Sequence, residues 1–356
     1  MDNTLVKYNC LIDLSKLKNL YCGLGQFSKY LGSSLNEIHD SQLKFNFLIP
    51  NGFENDFPNS GHEFISLKRR YFPNYCKNYD LWHSVHQNSP YFPSDNKTPY
   101  ILTIHDLNFL EEKSPRKAEF RKQALQKRID RASSITAISQ FTANEVNSHF
   151  DLKSKSINII YNGVEVTEFP EAEKPYYVPN GEFLFTLGVV KKKKNFKSLL
   201  GLLSNLENVN LVIAGDKSDN YTSEILIEAK ATGLAGRVIL PGKISDEEKY
   251  WLYKNCKAFL FPSLLEGFGL PVIEAMRFGK PVFLSKYSSL PEIGAEEAYY
   301  WTDFDPENMA ELFNNKMVEY QNDTNKAQLI LNHSQKFSWT NAAKEYVDVY
   351  KLVLNV

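Results

Sequence analysis

The sequence contains few cysteines and no cluster of residues with the spacing of metal ligands. Its 356 residues include four cysteines, Cys10, Cys22, Cys76 and Cys256, and no two of them form a C-x-x-C pair. This scarcity indicates neither a zinc site nor a disulfide framework. No group of histidine and acidic residues has ligand spacing either, so we expect no metal and no cofactor.

Long apolar runs and a strong net charge are also lacking. No stretch reaches the roughly 18 apolar residues of a membrane span. Met1 is followed by neither a basic region nor an apolar one, which argues against a signal peptide. The formal net charge of −1 gives no indication of nucleic-acid binding. We therefore expect a cytoplasmic protein of about two ordinary domains.

Short apolar runs alternate with helical patterns along the chain, which predicts parallel α/β architecture. The strands predicted in the first half are Tyr8–Ile12, Phe45–Ile49, Leu81–His83, Tyr100–Thr103, Ser134–Ala137 and Ile157–Ile160. Those in the second half are Phe183–Leu187, Asn210–Ala214, Arg237–Leu240, Ala258–Phe261 and Pro281–Leu284. The predicted helices are Gly25–Ile38, Arg116–Ala132, Gln140–Phe150, Phe196–Leu203, Tyr221–Thr232, Asp246–Asn255, Leu270–Phe278, Asn308–Gln321 and Thr340–Leu354.

An irregular stretch separates the two halves. Glu171–Gly181 contains two prolines, several charges and an Asn-Gly pair, a composition typical of a linker. Periodicity alone leaves open whether the halves form one large sheet or two facing domains.

The most informative segment follows the predicted strand Ala258–Phe261. It reads Glu266-Gly267-Phe268-Gly269-Leu270-Pro271 and continues to a second carboxylate, Glu274. Glycines let backbone amides approach a ligand closely, and Pro271 suits the first turn of a helix. We therefore expect Glu266 on a loop and Glu274 in the first turn of the next helix. Bare amides at a helix N-terminus favour an anion such as a diphosphate, so the segment suits a nucleotide-sugar.

The segment from Glu266 to Glu274 resembles the E-x7-E signature of retaining GT-B glycosyltransferases, in particular glycosyltransferase family 4. The alternative, an ordinary strand–loop–helix turn with two surface glutamates, is disfavoured by the glycines, the proline and the preceding strand. The resemblance implies two Rossmann-like domains that face each other across a cleft. It assigns residues 1–170 to an acceptor domain, 171–181 to the linker, 182–338 to a nucleotide-sugar domain and 339–356 to a helix that packs back on the first domain.

A run of four lysines resembles a further part of the family's donor site. Lys193 and Lys194, between Gly188 and Asn195, take the Arg-Lys places of a segment whose cations stabilise the leaving diphosphate. A solvated basic run is the alternative interpretation. Val189 stands where some relatives carry arginine, so the contact with the leaving group would rest on the lysines alone.

Glycines at other strand ends resemble further donor contacts. The loop with Gly23 and Gly25 resembles the family's glycine loop, whose amides reach the donor phosphate, although a plain tight turn fits it as well. Gly215 ends a predicted strand where the base is expected. Lys243 follows the next strand, whose backbone is expected to read the base.

His105 and Asp106 end another strand and resemble the His-Asp pair at the mouth of the family's acceptor domain. The implied role of His105 is to hydrogen-bond the donor sugar or to orient the acceptor. A structural histidine is the alternative. The predicted catalytic residues are thus His105, Glu266 and Lys194.

Weaker candidates remain open at this point. His83 and His86 either line an acceptor pocket or belong to a loop, and Ser139 either caps a helix or touches the ligand. Asp303 and Asp305 form a D-x-D pattern, which we interpret as a helix start rather than a metal site. A basic helix is either a solvated face or a contact for an anionic membrane; it carries Arg116, Lys117, Arg121, Lys122, Lys127 and Arg128.

The resemblance implies a hexosyltransferase, which we expect in the cytoplasm and, if the basic helix contacts a membrane, at its inner face. It would move a hexose, with retention, from a GDP- or UDP-linked sugar to a sugar hydroxyl of a glycan or lipid-linked acceptor. GDP-mannose is the first expectation for the donor. Glu274 would hold the ribose, Glu266 the transferred sugar, and the lysines with the loop amides the diphosphate. The alternatives are a nucleotide-sugar epimerase or hydrolase, and a catalytically dead binding subunit.

Overall fold

The computed structural model describes residues 7–20, 22–68, 79–93 and 95–356. They form two compact units, one running to Gly163 and including Phe337–Val356, the other comprising Val164–Lys336. Cys76 and the start of the chain, on which the signal-peptide prediction rests, lie outside the described residues.

The first unit is built on a parallel sheet. Its strands are β1 (Tyr8–Asp13), β2 (Leu43–Ile49), β3 (Gly61–Phe64), β4 (Leu81–Ser84), β5 (Tyr100–Ile104), β6 (Ser134–Ala137) and β7 (Ile157–Ile159). The strand order is β3-β2-β1-β4-β5-β6-β7, and every pairing is parallel. The central strands β4, β5 and β6 are buried along their whole length, as expected for a sheet covered on both faces.

Helices connect these strands. They are α1 (Gly23–Asn36), α2 (Phe109–Glu112), α3 (Pro115–Arg131) and α4 (Gln140–His149). Pro115 stands in the first turn of α3, where its missing N–H costs no hydrogen bond. The side chain of Ser139 caps α4 by accepting a hydrogen bond from the Thr142 amide.

The second unit repeats the design. Its strands are β8 (Glu182–Leu187), β9 (Val209–Ala214), β10 (Val238–Gly242), β11 (Ala258–Phe261), β12 (Val282–Ser285) and β13 (Tyr299–Trp301). Their order is β10-β9-β8-β11-β12-β13, again entirely parallel. Its helices are α5 (Ser198–Ser204), α6 (Tyr221–Ala231), α7 (Asp246–Asn255), α8 (Leu270–Met276), α9 (Leu290–Gly294), α10 (Pro306–Asn322) and α11 (Lys326–Ser334). The prediction of a parallel α/β fold with two separate sheets is confirmed.

The last helix, α12 (Trp339–Leu354), belongs to the first unit. Trp339 packs edge-on against Phe27 of α1, with ring centroids 5.3 Å apart. Gly163 fits against the start of α12, since a Cβ there would lie 2.1 Å from the Trp339 backbone nitrogen. The chain therefore leaves and re-enters the first unit at neighbouring points.

The units divide at positions other than the expected boundaries. The first change of unit falls after Gly163, and the segment 171–181 lies within the second unit. The ring of Phe169, just before this segment, packs edge-on against Tyr250 of α7, with ring centroids 6.1 Å apart. This contact holds the start of the irregular stretch on the second unit. Composition marks an irregular segment, but it does not show which unit the segment packs on.

Candidate functional site

The strand order of the second sheet reverses between β8 and β11. In open parallel sheets the loops at the carboxyl ends of such strands diverge and leave a crevice, where ligands commonly bind. The loop after β8 contains Gly188 and ends in a 3-10 turn, Lys192–Lys194. The loop after β11 contains Glu266. Topology therefore brings together the two segments that the sequence singled out.

Lys194 and Glu266 form an ion pair in this crevice. Lys194 Nζ lies 2.5 Å from Glu266 Oε1, and both side chains are mostly buried, with 12% and 14% of their surface exposed. The ammonium also lies 4.7 Å from the ring centroid of Phe261, at the end of β11. Of the predicted lysine pair, Lys194 is the one whose ammonium meets the first glutamate of the E-x7-E segment.

Serine side chains fix the loop that carries Glu266. Ser263 Oγ lies 2.6 Å from Glu266 Oε1, and it lies 3.1 Å from the carbonyl oxygen of Lys193. The Glu266 amide donates to Ser288 Oγ at 3.0 Å. The Leu264 amide donates to the same Lys193 carbonyl at 2.7 Å, which joins the two loops through the backbone. Lys193 thus contributes its carbonyl to the scaffold of the site.

Glu274 lies one turn further along α8 than the sequence suggested. The helix begins at Leu270 after Gly269, which adopts a left-handed conformation with φ 113°. Pro271 is in the first turn as predicted, but that turn contains no acidic residue, so the expectation for Glu274 was wrong. As the fifth residue of the helix, Glu274 turns toward α7. There Lys249 Nζ lies 3.3 Å from Oε1, and Tyr253 OH donates to Oε2 at 2.8 Å.

Burial and charge set the protonation of the two residues that contact Glu274. Burial alone would lower the pKa of Lys249, but the carboxylates of Glu274 and Asp246 outweigh it and raise the pKa to about 12. Burial, with the Glu274 charge, raises the pKa of Tyr253 well above its ordinary value. At neutral pH both are therefore hydrogen-bond donors to Glu274. Sequence reasoning missed both residues, since only their spacing of four on a helix was visible.

Glycine at position 215 allows two strand ends to approach closely. A Cβ on Gly215 would lie 1.9 Å from the Gly188 carbonyl oxygen, so no other residue fits there without displacing the loop of Lys194. The Gly215 amide donates to the Gly242 carbonyl at 2.8 Å. Gly215 therefore aligns the ends of β8, β9 and β10.

The remaining predicted donor residues lie around these loops. Gly267 and Phe268 continue the loop after Glu266, and Phe268 is 3% exposed. Lys243, just after β10, forms an ion pair with Asp216 at 3.1 Å and is largely exposed. Hydrogen bonds from Ser218, then the charge of Lys243, lower the pKa of Asp216 to about 2.

The first unit places the glycine loop and His105 close together. Gly23 is the first residue of α1. The ring of Phe27, one turn later, packs edge-on against His105 with centroids 4.6 Å apart. Gly25 is required by local packing, because a Cβ there would lie 1.9 Å from the Asn19 carbonyl oxygen. Its amide donates to the Cys22 carbonyl at 3.0 Å, which closes a turn. The contact of this loop with the donor phosphate stays a prediction.

His105 is neutral and held in one orientation. Its Nε2 lies 2.7 Å from the Val85 carbonyl oxygen, which can only accept, so we assign the proton to Nε2. Its backbone carbonyl accepts from Thr142 Oγ1 at 3.1 Å. Burial lowers the pKa of His105 to about 4, against a smaller opposing effect from the Val85 carbonyl.

The other two histidines of this region are also buried, and His86 lies in the loop after β4. His83 lies inside β4, bonded to Tyr350 OH of α12 at 2.8 Å and to Thr103 Oγ1 at 2.7 Å. Burial lowers the pKa of His83 to about 3. Burial, then the charge of Lys16, lowers the pKa of His86 to about 2. The interpretation of His83 as a loop residue was wrong, because β4 extends past it to Ser84. Its interpretation as an acceptor-pocket residue stays a prediction.

A buried carboxylate at the end of β1 was not anticipated. Asp13 accepts hydrogen bonds from the Ser15 amide, at 2.9 Å, and from the Ser89 hydroxyl. Burial raises the pKa of Asp13, while these hydrogen bonds oppose the shift. Its position between a strand and a polar loop was the sequence feature from which Asp13 could have been identified.

The D-x-D pattern is a helix start, as interpreted. Asp305 caps α10 by accepting from the amides of Glu307 and Asn308, each at 3.1 Å. Within the described ranges, no group of three or more histidine, cysteine, aspartate or glutamate side chains is arranged to hold a metal ion.

Two family models match the chain in succession. The model described as Glycosyltransferase Family 4 matches residues 41–168, and that described as Glycosyl transferases group 1 matches residues 170–330. Together the two matches cover most of the chain, one on each half.

Curated relatives are similar over most of this sequence. The chain is 29% identical over 288 residues to a serotype-specific mannosyltransferase, WbdA, of Escherichia coli, covering 77% of this chain and 34% of the relative. It thus spans about a third of that relative's length. It is 24% identical to the O-antigen chain mannosyltransferase B of Escherichia coli, covering 71% of this chain and 70% of the relative.

Solved structures share the fold of the whole chain. The structure of Anabaena HepE in complex with UDP-glucose aligns with a TM-score of 0.72 at 17% identity, covering 97% of this chain and 99% of that one. Similarity at this level of identity concerns the fold alone.

Proposed function

Since the chain belongs to the family-4 glycosyltransferases of the GT-B fold, we propose that it is a retaining hexosyltransferase. It would transfer a hexose from a nucleoside-diphosphate sugar to a sugar hydroxyl of a glycan or lipid-linked acceptor. The observation that carries this proposal is the Lys194–Glu266 ion pair at the strand-order reversal of the second sheet, eight positions before Glu274.

The two charges of this pair suit the two ends of the bond that breaks. Cleavage of the bond from the anomeric carbon to the phosphate oxygen leaves the diphosphate with additional negative charge, which the Lys194 ammonium stabilises. Glu266 accepts hydrogen bonds from hydroxyls of the transferred sugar. The acceptor oxygen forms the new bond to the anomeric carbon and loses its proton. In a front-side reaction that proton passes to the leaving phosphate; a covalent intermediate is the other route to retention.

His105 contributes from the first unit in this proposal. Its imidazole is neutral at physiological pH, with Nε2 directed at the Val85 carbonyl. Nδ1 is then the nitrogen that accepts a hydrogen bond, and a sugar hydroxyl is a suitable donor. A neutral imidazole of this kind suits binding and orienting a sugar better than it suits donating a proton as a general acid.

Mannose, carried by GDP, is our first choice for the donor. The names of the two Escherichia coli relatives describe mannosyltransferases, one of them acting in O-antigen synthesis. The UDP-glucose bound to Anabaena HepE keeps UDP-sugars as the next choice. We propose polysaccharide or glycan assembly as the setting, without a metal or other cofactor.

Peripheral contact with an anionic membrane is part of the proposal. Helix α3 carries seven lysines and arginines against two acidic residues, and Phe120 on it is 74% exposed. An apolar side chain among basic ones suits the boundary of an anionic bilayer. Among the described helices, none has the length and apolar character needed to cross a bilayer.

Product analysis tests the proposal. The protein is incubated with GDP-mannose or UDP-glucose and a panel of mannosides, and the anomeric configuration of the product is read by NMR. We expect net transfer with the donor's configuration kept. Rearranged or hydrolysed donor without transfer would favour the epimerase or hydrolase alternative, and an inverted product would contradict retention.

Variants connect this activity to the ion pair. Glu266→Gln and Lys194→Met should each lower turnover by about 10²-fold or more, the scale of losing one preorganised electrostatic contact in a transition state. Glu228→Gln is the matched control, since it breaks the more exposed Lys197–Glu228 ion pair of the same unit. It should leave turnover unchanged.

A further inference from the structure

Helix α7 holds both oxygens of the Glu274 carboxylate. Lys249 lies 3.3 Å from Oε1 and Tyr253 OH lies 2.8 Å from Oε2. The tyrosine hydroxyl also lies 3.2 Å from the Pro271 carbonyl, in the first turn of α8. The Glu274 side chain remains 17% exposed, so a ligand can still reach it.

Counting lone pairs indicates what the exposed side can accept. An ionised carboxylate offers about four acceptor positions on its two oxygens. The two donors on α7 occupy one position on each oxygen, which leaves about one on each. Two neighbouring hydroxyl groups on one sugar ring match such a pair of acceptors.

The packing of Tyr253 holds its hydroxyl group in one position. Its ring is 1% exposed. It lies among the rings of Phe185, Phe259 and Phe278, with centroids 5.1, 5.4 and 5.8 Å away. Lys249 is restrained by a second carboxylate, Asp246, at 3.3 Å. Both donors are therefore fixed before any ligand arrives.

We propose that Lys249 and Tyr253 are positioning residues that orient the Glu274 carboxylate toward the two ribose hydroxyls of the donor nucleotide, and so make the site selective for ribonucleotides. This rests on the proposed function, in which Glu274 holds the ribose. Neither residue needs to touch the nucleotide. Their effect is to keep the two remaining acceptor positions aimed at a vicinal diol.

Discrimination between ribose and deoxyribose isolates this role. The probes are GDP and UDP together with 2′-deoxy-GDP and 2′-deoxy-UDP, titrated calorimetrically. The variants are Tyr253→Phe, which removes one hydroxyl and keeps the ring, and Lys249→Met, which removes the charge and keeps most of the stem. Lys249→Arg is the conservative variant. Controls on the same helix are Tyr250→Phe and Lys254→Met.

The wild-type protein should prefer the ribonucleotide by about tenfold or more, the scale of one hydrogen bond to a charged group. Tyr253→Phe and Lys249→Met should each reduce this preference several-fold, mainly by weakening the ribonucleotide. Lys249→Arg should restore most of it. The two controls should keep the wild-type ratio and the wild-type melting temperature.

Three results would overturn the proposal. In the first, Tyr253→Phe and Lys249→Met keep the wild-type preference for ribonucleotides while Glu274→Ala loses it. Glu274 would then contact the ribose without help from α7. An equal weakening of ribo- and deoxyribonucleotides, with a lowered melting temperature, would make the residues structural. Because Lys249 is partly exposed, its variant keeps the test valid if Tyr253→Phe folds poorly. A wild-type protein that binds none of the four nucleotides would overturn the proposed function as well.

Discussion

At the scale of single residues, Lys194 and Glu266 neutralise each other. Seventy-two positions separate them along the chain, yet they form a mostly buried pair. Removing one member of such a pair leaves an uncompensated charge in a poorly solvated place. In the reaction that we propose, a donor diphosphate would be the replacement partner of Lys194 and a sugar hydroxyl that of Glu266.

His105 is the residue whose effect should appear in the rate and not in nucleotide binding. It belongs to the unit without the E-x7-E segment, so His105→Ala should leave nucleoside-diphosphate affinity nearly unchanged. Turnover should fall by on the order of 10²-fold, because a group that acts on the reacting sugar is felt in the transition state. Steady-state kinetics and calorimetric titration of the same preparation measure both.

His149→Ala, an exposed histidine on α4, is the control for this experiment. Near-wild-type turnover of His105→Ala would make His105 a structural residue. A sharp fall in its melting temperature would point the same way, given the tight contacts with Phe27 and Val85.

Sequence reasoning reached those residues that carry a family pattern and missed those that support them. Glu266, Lys194 and His105 each follow a buried strand, and Glu274 lies on the helix that Pro271 marks. Such positions are visible in one dimension. Tyr253 contacts Glu274 from 21 positions away, and no local pattern reports such a contact. Ser263 lies only three positions before Glu266, but its hydrogen bond to that carboxylate depends on the conformation of the loop between them. The start of α8 at Leu270 was predicted correctly. Glu274 was misplaced because the fifth residue of a helix lies beyond its first turn of about 3.6 residues.

At the scale of elements, buried strands were predictable even when short, such as the four-residue β4 and β6. Strands β3 and β13 lie at the edges of their sheets and are buried at only one of four and two of three residues, so they contain no continuous buried run. Helix α9 has five residues, too few for a helical period to show. Helix α12 was predictable from its amphipathic pattern. Its place in the first unit depends on contacts within the folded chain, such as that of Trp339 with Phe27.

Helix α3 leads to a prediction about membranes. The protein should bind vesicles that contain anionic lipid, and binding should weaken as salt is raised, because each basic side chain near the surface contributes about 1 kcal/mol that salt screens. Phe120→Ser with Arg116→Gln should reduce binding by about tenfold. Vesicle co-sedimentation measures it.

Leu226→Ser with Lys230→Gln, on helix α6 of the second unit, is the matched control for this experiment. Leu226 is also exposed, at 50%. Equal binding to neutral and anionic vesicles, or an effect of the control pair as large as that of the α3 pair, would make α3 an ordinary solvated face.

At the scale of the whole molecule, three buried histidines belong to the first unit. His83, His86 and His105 all lie in the first unit, and burial lowers their pKa values to about 3, 2 and 4. In the unfolded chain a histidine titrates near its ordinary value of about 6.5. Below that pH the unfolded state binds protons that the folded state does not, so stability falls as the pH is lowered.

We therefore predict that the first unit is acid-labile. Each of the three histidines should cost about 1.4 kcal/mol per pH unit between about pH 6.5 and its folded-state pKa. Calorimetric melting between pH 7.5 and 5 should show the transition of the first unit moving to lower temperature. His86→Gln should reduce the slope, and His149→Gln should not. A melting temperature that is constant over this range would contradict the account.

The central claim is that the crevice of the second sheet binds a nucleoside diphosphate through the E-x7-E segment, without a metal. The most direct measurement is calorimetric titration of GDP and UDP in excess EDTA, into the wild-type protein, Glu274→Ala and the exposed control Glu311→Ala. We predict binding of at least one nucleotide to the wild type and the control. Affinity should be about tenfold weaker or worse in Glu274→Ala, since a hydrogen bond to a charged group is worth roughly 1.5–3 kcal/mol. Binding that appears only when Mg²⁺ or Mn²⁺ is restored, or that is equally strong in Glu274→Ala, would contradict the claim.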